Sequence, residues 1–361
     1  GDAFRMQREV ALSVADAIHL ELQGEEKVSA EAVGIVPPDE ADDYFRARHL
    51  WGQRKRESVE RAIELYRGIL DRDPAFALAW SGLADAYATM SSWFWLPADE
   101  AIPLAKAAVE RALQLDPELA EAHVTKATIL AEYDRDREQA LEHWDRAIDL
   151  KPGYSSARSW YSDHLAYVQR FDEALEQARI AKEQDPLSPA AAQAVGTVLY
   201  YARRFDEAIE ELDSASRQFP DFPFSRMYQG LAHLGRGDHE RAIEILEELR
   251  GRRPDMADVT AVLSVAYGRT GDEERSRELL DEILALPEDR WGKAFLPVAP
   301  YAELGMYAEA MEALEQSYQE RDWRLSFLAV EPIMEPLFAE PDFPELLRRL
   351  GLPEHPPADT R

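Results

Sequence analysis

The side chains best able to do chemistry here are carboxylates. The chain carries 70 Asp and Glu against 41 Lys and Arg, a formal net charge of −29. Paired carboxylates can serve general acid–base catalysis, but at this density pairs arise everywhere, and they read as solvated helix faces. Asp134-x-Asp136-x-Glu138 has the spacing of the first ligands of a calcium loop. It lacks the glycine at the sharp turn and the bidentate Glu at the loop end, so it reads as a turn between helices. The eight His are scattered; Asp163-His164, His233 and His239 read as core or surface residues. Cysteine is absent, which excludes a disulfide scaffold, a Cys-based zinc site, an iron–sulfur cluster and a thiol nucleophile. Gly235-Arg236-Gly237 is the nearest approach to a phosphate-binding glycine pair, and it reads as a helix end. There is no Walker, dinucleotide, kinase or nucleophile-elbow motif. No residue set reads as catalytic, and no cofactor or metal is implied.

The acidic balance argues against non-specific binding to nucleic acid or to an anionic membrane, which needs a basic face. Apolar residues make up 46% of the chain, enough for a substantial core and too many for disorder. The longest uncharged run, 186–202, holds Ser188, Gln193 and Thr197 and is too polar to span a bilayer. Gly1-Asp2-Ala3-Phe4 begins without the basic and apolar regions of a signal peptide. The expectation is a soluble part of a longer protein, on either the cytoplasmic or the periplasmic side.

The elements that could position a site are readable from a period. Pro74, Pro117, Pro152, Pro186, Pro220 and Pro254 are spaced 43, 35, 34, 34 and 34 apart. Ten residues after each proline sits a small residue: Ala84, Ala127, Ser162, Gly196, Gly230, Ser264. A second small position recurs at Ala62, Ala105, Ala140, Ala174, Ala208 and Ala242. Small residues are needed where two helix backbones cross closely, and each proline stops a helix. A 34-residue repeat is one helical hairpin of a solenoid.

Trp80-x-x-Leu83-Ala84-x-x-Tyr87, followed by Ala105, Ala112 and Pro117, resembles the tetratricopeptide repeat (TPR). The resemblance implies an all-α, right-handed superhelical solenoid of about eight TPR-like hairpins over 44–320. The second unit carries nine extra residues around Ser91 to Pro97, including Trp93, Phe94 and Trp95. After Arg321 the period fails, and Pro332, Pro336, Pro341 and Pro344 crowd a segment, 321–361, expected to cap the last apolar face and end in a polar tail. Val10, Ala11, Val14, Ala15, Ile18 and Leu22 form one apolar stripe, so 1–27 is expected to be an amphipathic helix and 28–43 a linker.

The order of segments is also similar to the C-terminal half of bacterial signalling proteins in which a TolB-like segment precedes TPRs. The similar stretches are Phe4 to Ala11, Arg46-Ala47-Arg48-His49-Leu50-Trp51, and Glu331-Pro332 through Leu352. In that arrangement the array stands behind a serine/threonine kinase, a class III adenylate cyclase or a CadC-type winged-helix domain, and 1–27 would end the TolB-like domain. The implied function is a non-catalytic module that binds protein or peptide or senses a signal. The alternatives are a scaffold that oligomerises its parent, and the regulatory part of a kinase or cyclase. Some TPR proteins hold a chaperone's C-terminal carboxylate with a Lys/Asn clamp; this chain has no Asn.

The resemblance further implies that the first helix of each hairpin lines a concave groove. Asp85, Asp163, Tyr167, Tyr200, Tyr201, Phe224 and Met227 fall at its inward positions, with Arg203 and Arg204 just beyond. An aromatic stripe with a few charges suits an extended or helical peptide; the alternative is that the tyrosines pack between neighbouring hairpins. Trp93, Phe94 and Trp95 form a rival contact site, or fold back onto the array. A net charge of −29 repels itself in the compact state, and salt screens that repulsion. Thermal stability is expected to rise between low and moderate NaCl in a melting series; a flat or falling curve would remove the case for charge repulsion.

Overall fold

The computed structural model describes residues 41–53, 55–287, 290 and 292–357. The apolar stripe of 1–27 and most of the expected linker lie outside them. Residues 41–43 belong to a helix rather than to a linker. Asp42 and Asp43 sit in its first turn, where the helix dipole favours acids, and Asp43 pairs with Arg72 at 2.7 Å.

Eight helical hairpins follow one another, and among the described residues there is no strand. They are α1 (Ala41–Gly52) with α2 (Arg56–Arg72); α3 (Ala77–Ser92) with α4 (Ala98–Leu115); α5 (Ala120–Ile129) with α6 (Arg137–Leu150); and α7 (Ser155–Tyr167) with α8 (Phe171–Gln184). Then come α9 (Pro189–Tyr201) with α10 (Phe205–Gln218), α11 (Pro223–Arg236) with α12 (His239–Arg252), α13 (Ala257–Arg269) with α14 (Glu273–Leu284), and α15 (Val298–Glu303) with α16 (Tyr307–Gln319). The chain is a helical-repeat solenoid. Each periodic proline stands two residues past the end of a second helix, as Pro74 does after Arg72 and Pro254 after Arg252.

The small positions are where the helices meet. Ala84, Ala127, Ser162 and Ser264 have no exposed surface, nor do Ala62, Ala105, Ala174, Ala208 and Ala242. A Cβ on Gly82 would lie 2.4 Å from the Tyr66 ring, and one on Gly196 2.5 Å from Leu212 Cγ. Those contacts require hydrogen at these sites.

The turn inside each hairpin has its own period. Arg135, Gln169, Arg203, Gly237, Gly271 and Gly305, each 34 residues after the last, all have positive φ between 59° and 90°. Each ends a first helix and redirects the chain into the second. Glycine takes this conformation without strain, and three turns use it. Gly235-Arg236-Gly237 is such a helix end. Asp136 caps α6 by accepting from Gln139 N at 3.2 Å, Asp134 pairs with Lys106 at the end of a π-helical turn, and Glu138 lies in the first turn of α6, so the stretch is a junction between helices.

Past α16 two 3₁₀ turns, Trp323–Phe327 and Pro332–Ala339, and α17 (Phe343–Arg349) complete the chain. This segment does pack on α15, but it does not stop at the last hairpin. It runs back along the inside of the solenoid: Trp323 Nε1 donates to Ser92 O at 3.0 Å, Arg137 to Leu350 O at 3.3 Å, and Gln169 to His355 O at 2.7 Å. The expected cap is therefore a filling of the groove, because its side chains match the inner face.

Gly82→Ala is expected to lower stability by about 1–3 kcal/mol through overpacking. Gly251→Ala, exposed in α12 with nothing within 4 Å of its added Cβ, should be neutral or stabilise by up to about 1 kcal/mol. Denaturant melts of the two proteins check the register; equal effects would contradict it.

Candidate functional site

Tyr167, Tyr200 and Tyr201 stand at the ends of α7 and α9, the first helices of their hairpins. Their rings are buried. Tyr201 stacks on Phe327 of the C-terminal segment with ring centres 6.4 Å apart and planes at 22°. Tyr167 stands 6.0 Å from the same ring and 5.8 Å from Tyr201. The Tyr200 hydroxyl donates to the Glu331 carboxylate, and the Tyr201 hydroxyl lies 2.7 Å from that of Tyr228 in α11. The tyrosines thus pack both against the next hairpin and against a peptide segment of the same chain.

The other inward residues do not join them in one cluster. Asp85 is buried near the array's beginning, where it accepts from Thr125 Oγ1 and faces Arg48 at 3.5 Å. Asp163 is recessed one hairpin before Tyr200. Phe224 touches Phe222 and Trp93, and Met227 packs partly buried on the main core. Arg203 reaches Glu335 of the segment at 3.5 Å, whereas Arg204 pairs locally with Glu207.

The insertion crosses the solenoid. Trp93 meets Phe224 of the sixth hairpin at 6.4 Å and Trp95 at 5.5 Å, while remaining 39% exposed. Phe94, at φ 56°, turns inward beneath Gly292 and lies 4.6 Å from the Arg324 guanidinium. Phe94 is thus an internal strut, and Trp93 is the part that meets solvent.

Sequence reasoning missed Arg324, Phe327 and Glu132; it met Glu331 only as the start of a similar stretch, and it read His164 as a core or surface residue, which its burial fits. The cluster of prolines marked the segment as aperiodic; nothing in it said which face it covers.

Two tetratricopeptide-repeat family models match the chain, one over 126–189 and again over 194–257, the other over 233–292. The chain carries tetratricopeptide repeats. No curated protein matches the sequence. Among solved structures the TPR array is similar to a human IFIT1 dimer with m7Gppp-AAAA, at TM-score 0.53 and 17% identity over 74% of this chain and 68% of that one. It is similar also to a tetratricopeptide repeat protein from Parabacteroides merdae, at TM-score 0.52 and 13% identity over 71% of this chain and 97% of that one. Pseudomonas aeruginosa pilF aligns over 68% of this chain and 99% of its own at TM-score 0.47 and 16% identity. At such identities the likeness is one of fold.

Burial of the TPR inner face shifts its acids. It pushes Glu331 up to about 7 against the opposing bond from Tyr200, Glu132 up to about 8, and Asp163 up to about 7. Burial also holds His164 down to about 3 and His143 down to about 4. His164 Nε2 lies 3.7 Å from Glu132 Oε1. Among the described residues no group of three or more His, Cys, Asp or Glu is arranged to hold a metal ion.

These shifts set a pH dependence. From about 4.5 to about 8 the folded chain keeps protons on Glu132, Glu331 and Asp163 that the unfolded chain has released, so stability falls as pH rises. At lower pH three histidines, His164, His143 and His233, act oppositely: they charge in the unfolded chain, whose imidazoles titrate around 6.5, and are held neutral by burial when folded. Between about pH 7 and 8 that opposition has largely faded and the carboxyl effect dominates. The melting temperature should fall across that window, and Glu331→Gln should flatten the fall. A profile that is level or rising in the parent chain would contradict the burial of these acids.

Proposed function

We propose that the chain is a non-catalytic protein-interaction module of a bacterial signalling or transcription-regulatory protein, with the inner face as its polypeptide-binding surface. TPR proteins generally mediate protein–protein interaction. One observation carries the reading to this groove: it already holds residues 323–352, wound into two 3₁₀ turns and a short helix, against its tyrosines. The TolB-like resemblance and the similar order of segments support the signalling context, with a kinase, cyclase or winged-helix domain as the output. The net charge of −29 speaks against nucleic acid as the ligand, and no helix among the described residues is long and apolar enough to cross a membrane.

A second reading is favoured by Trp93. It is exposed within a run of aromatic contacts, Trp95–Trp93–Phe224–Phe222, a surface that would pair with another copy and oligomerise the parent.

Light scattering at rising concentration separates the two: self-association abolished by Trp93→Ala with Trp95→Ala supports the scaffold, and a monomer throughout excludes it. For the interaction module, a photo-crosslinker at residue 93 in a bacterial host should trap a protein partner. Truncating the aromatic side chains that partner contacts should weaken its binding by about tenfold, as for an interface hot spot. No crosslinked protein together with a monomeric chain would sink both readings.

A further inference from the structure

The segment inside the groove is held as a docked peptide is held. Each backbone–backbone hydrogen bond made by the N–H groups of 323–340 runs to a residue no more than four away, as in Leu328 N to Leu325 O and Glu331 N to Phe327 O. The anchors are side chains: Leu325, Leu328, Val330 and Leu337 are buried in the main core, and three further residues make specific contacts. Arg324 is 5% exposed, its guanidinium between the rings of Phe94 and Phe295 at 4.6 Å each, with Nη1 donating to Asp258 at 2.8 Å and Nη2 to Gly292 O. Phe327 enters a box of Tyr167, Tyr201, Phe295 and Trp323 rings, all within 6.4 Å. Glu331 is 5% exposed, accepts from Tyr200 and faces Arg203 and Arg269. Pro332 then opens the next turn, where its missing N–H leaves nothing unpaired. The receiving groups come from the second, fourth, fifth and seventh hairpins and the approach to the eighth, and the segment itself adds Trp323 to the ring box and Asp322 to the pairing of Arg324.

We propose that the groove selects protein segments of the pattern Arg-x-x-Phe-x-x-x-Glu-Pro, and that 324–332 is a copy carried in cis. This rests on the reading of the inner face as a polypeptide-binding surface, and it names the partner's chemistry. A planar, fully paired guanidinium between two rings requires Arg and not Lys. The aromatic box requires a flat ring, and the Tyr200 hydroxyl with two arginines requires an acceptor. A partner bearing this pattern displaces the resident segment, which pivots at Arg321, a residue with φ 55° just past α16. The tether gives the resident a high local concentration, so partner affinity is reduced by the fraction of time the groove is closed.

The test uses a synthetic peptide of residues 320–340 with the full chain. Phe327→Ala with Glu331→Ala in the chain loosens the resident segment, and the peptide should then bind about tenfold tighter than to the parent chain. Peptides carrying Arg324→Lys or Phe327→Ala should lose that binding. Equal affinity for both chains, or undiminished binding of the substituted peptides, overturns the proposal. If the double variant does not fold, hydrogen exchange on the parent chain decides: the peptide should speed exchange in 323–339 and leave α9 protected, and no change in 323–339 at millimolar peptide overturns it. A protein crosslinked at residue 93 whose binding leaves 323–339 protected would defeat this specificity and leave the interaction-module reading standing.

Discussion

One buried cation, Arg324, ties the second hairpin to the seventh and to the approach to the eighth. Arg324 is sandwiched by Phe94 from the second hairpin and Phe295 from the approach to the eighth, and it pairs with Asp258 of the seventh and with Asp322 beside it. A guanidinium taken out of water is tolerated only with its donors matched, and breaking such a pair by removing one partner costs about 3–5 kcal/mol. The inner face is arranged around that match. Next to the seated Arg324, Phe327 reaches the tyrosines and Glu331 reaches Tyr200, while Trp323 on Ser92 O, Arg137 on Leu350 O and Gln169 on His355 O hold the rest of the segment in register.

The solenoid makes the seat possible. Small residues at the helix crossings allow close packing, and a left-handed residue every 34 positions repeats the same turn six times over. Regular hairpins bring side chains at equivalent positions onto one concave surface, which explains how Tyr167 and Tyr201, one repeat apart in sequence, share a single phenyl ring. The insertion Ser91 to Pro97 breaks the regularity at one point, and that break is what lets Phe94 cross to Arg324.

The hairpins were legible because close crossings and helix stops leave residue types that sequence can show: Ala or Gly at the crossings, proline after each second helix. One turn was read from its glycine, Gly235-Arg236-Gly237 as a helix end; Gly271 and Gly305 take the same positive φ with a glycine to mark it, and Arg135, Gln169 and Arg203 with no such mark. The repeat positions of Tyr167, Tyr200 and Tyr201 put them at the ends of first helices, and the alternative of packing between hairpins was legible beside the groove reading. What covers them was not legible. A repeat pattern states what a helix presents, not what lies opposite, and Phe327 and Glu331 sit in a proline-broken stretch with no period of its own. The insertion stood out as surplus length, while its target, more than 200 residues away in sequence, left no local trace.

The account turns on the C-terminal segment lying inside the array. The absence of cysteine allows one spin label at Gln169 and one at His355, positions joined by a 2.7 Å side-chain bond to the backbone. Pulsed electron resonance on that pair measures the placement directly. A single narrow, short distance is the result the account predicts; a broad distribution of long distances would show the segment outside the groove and contradict it.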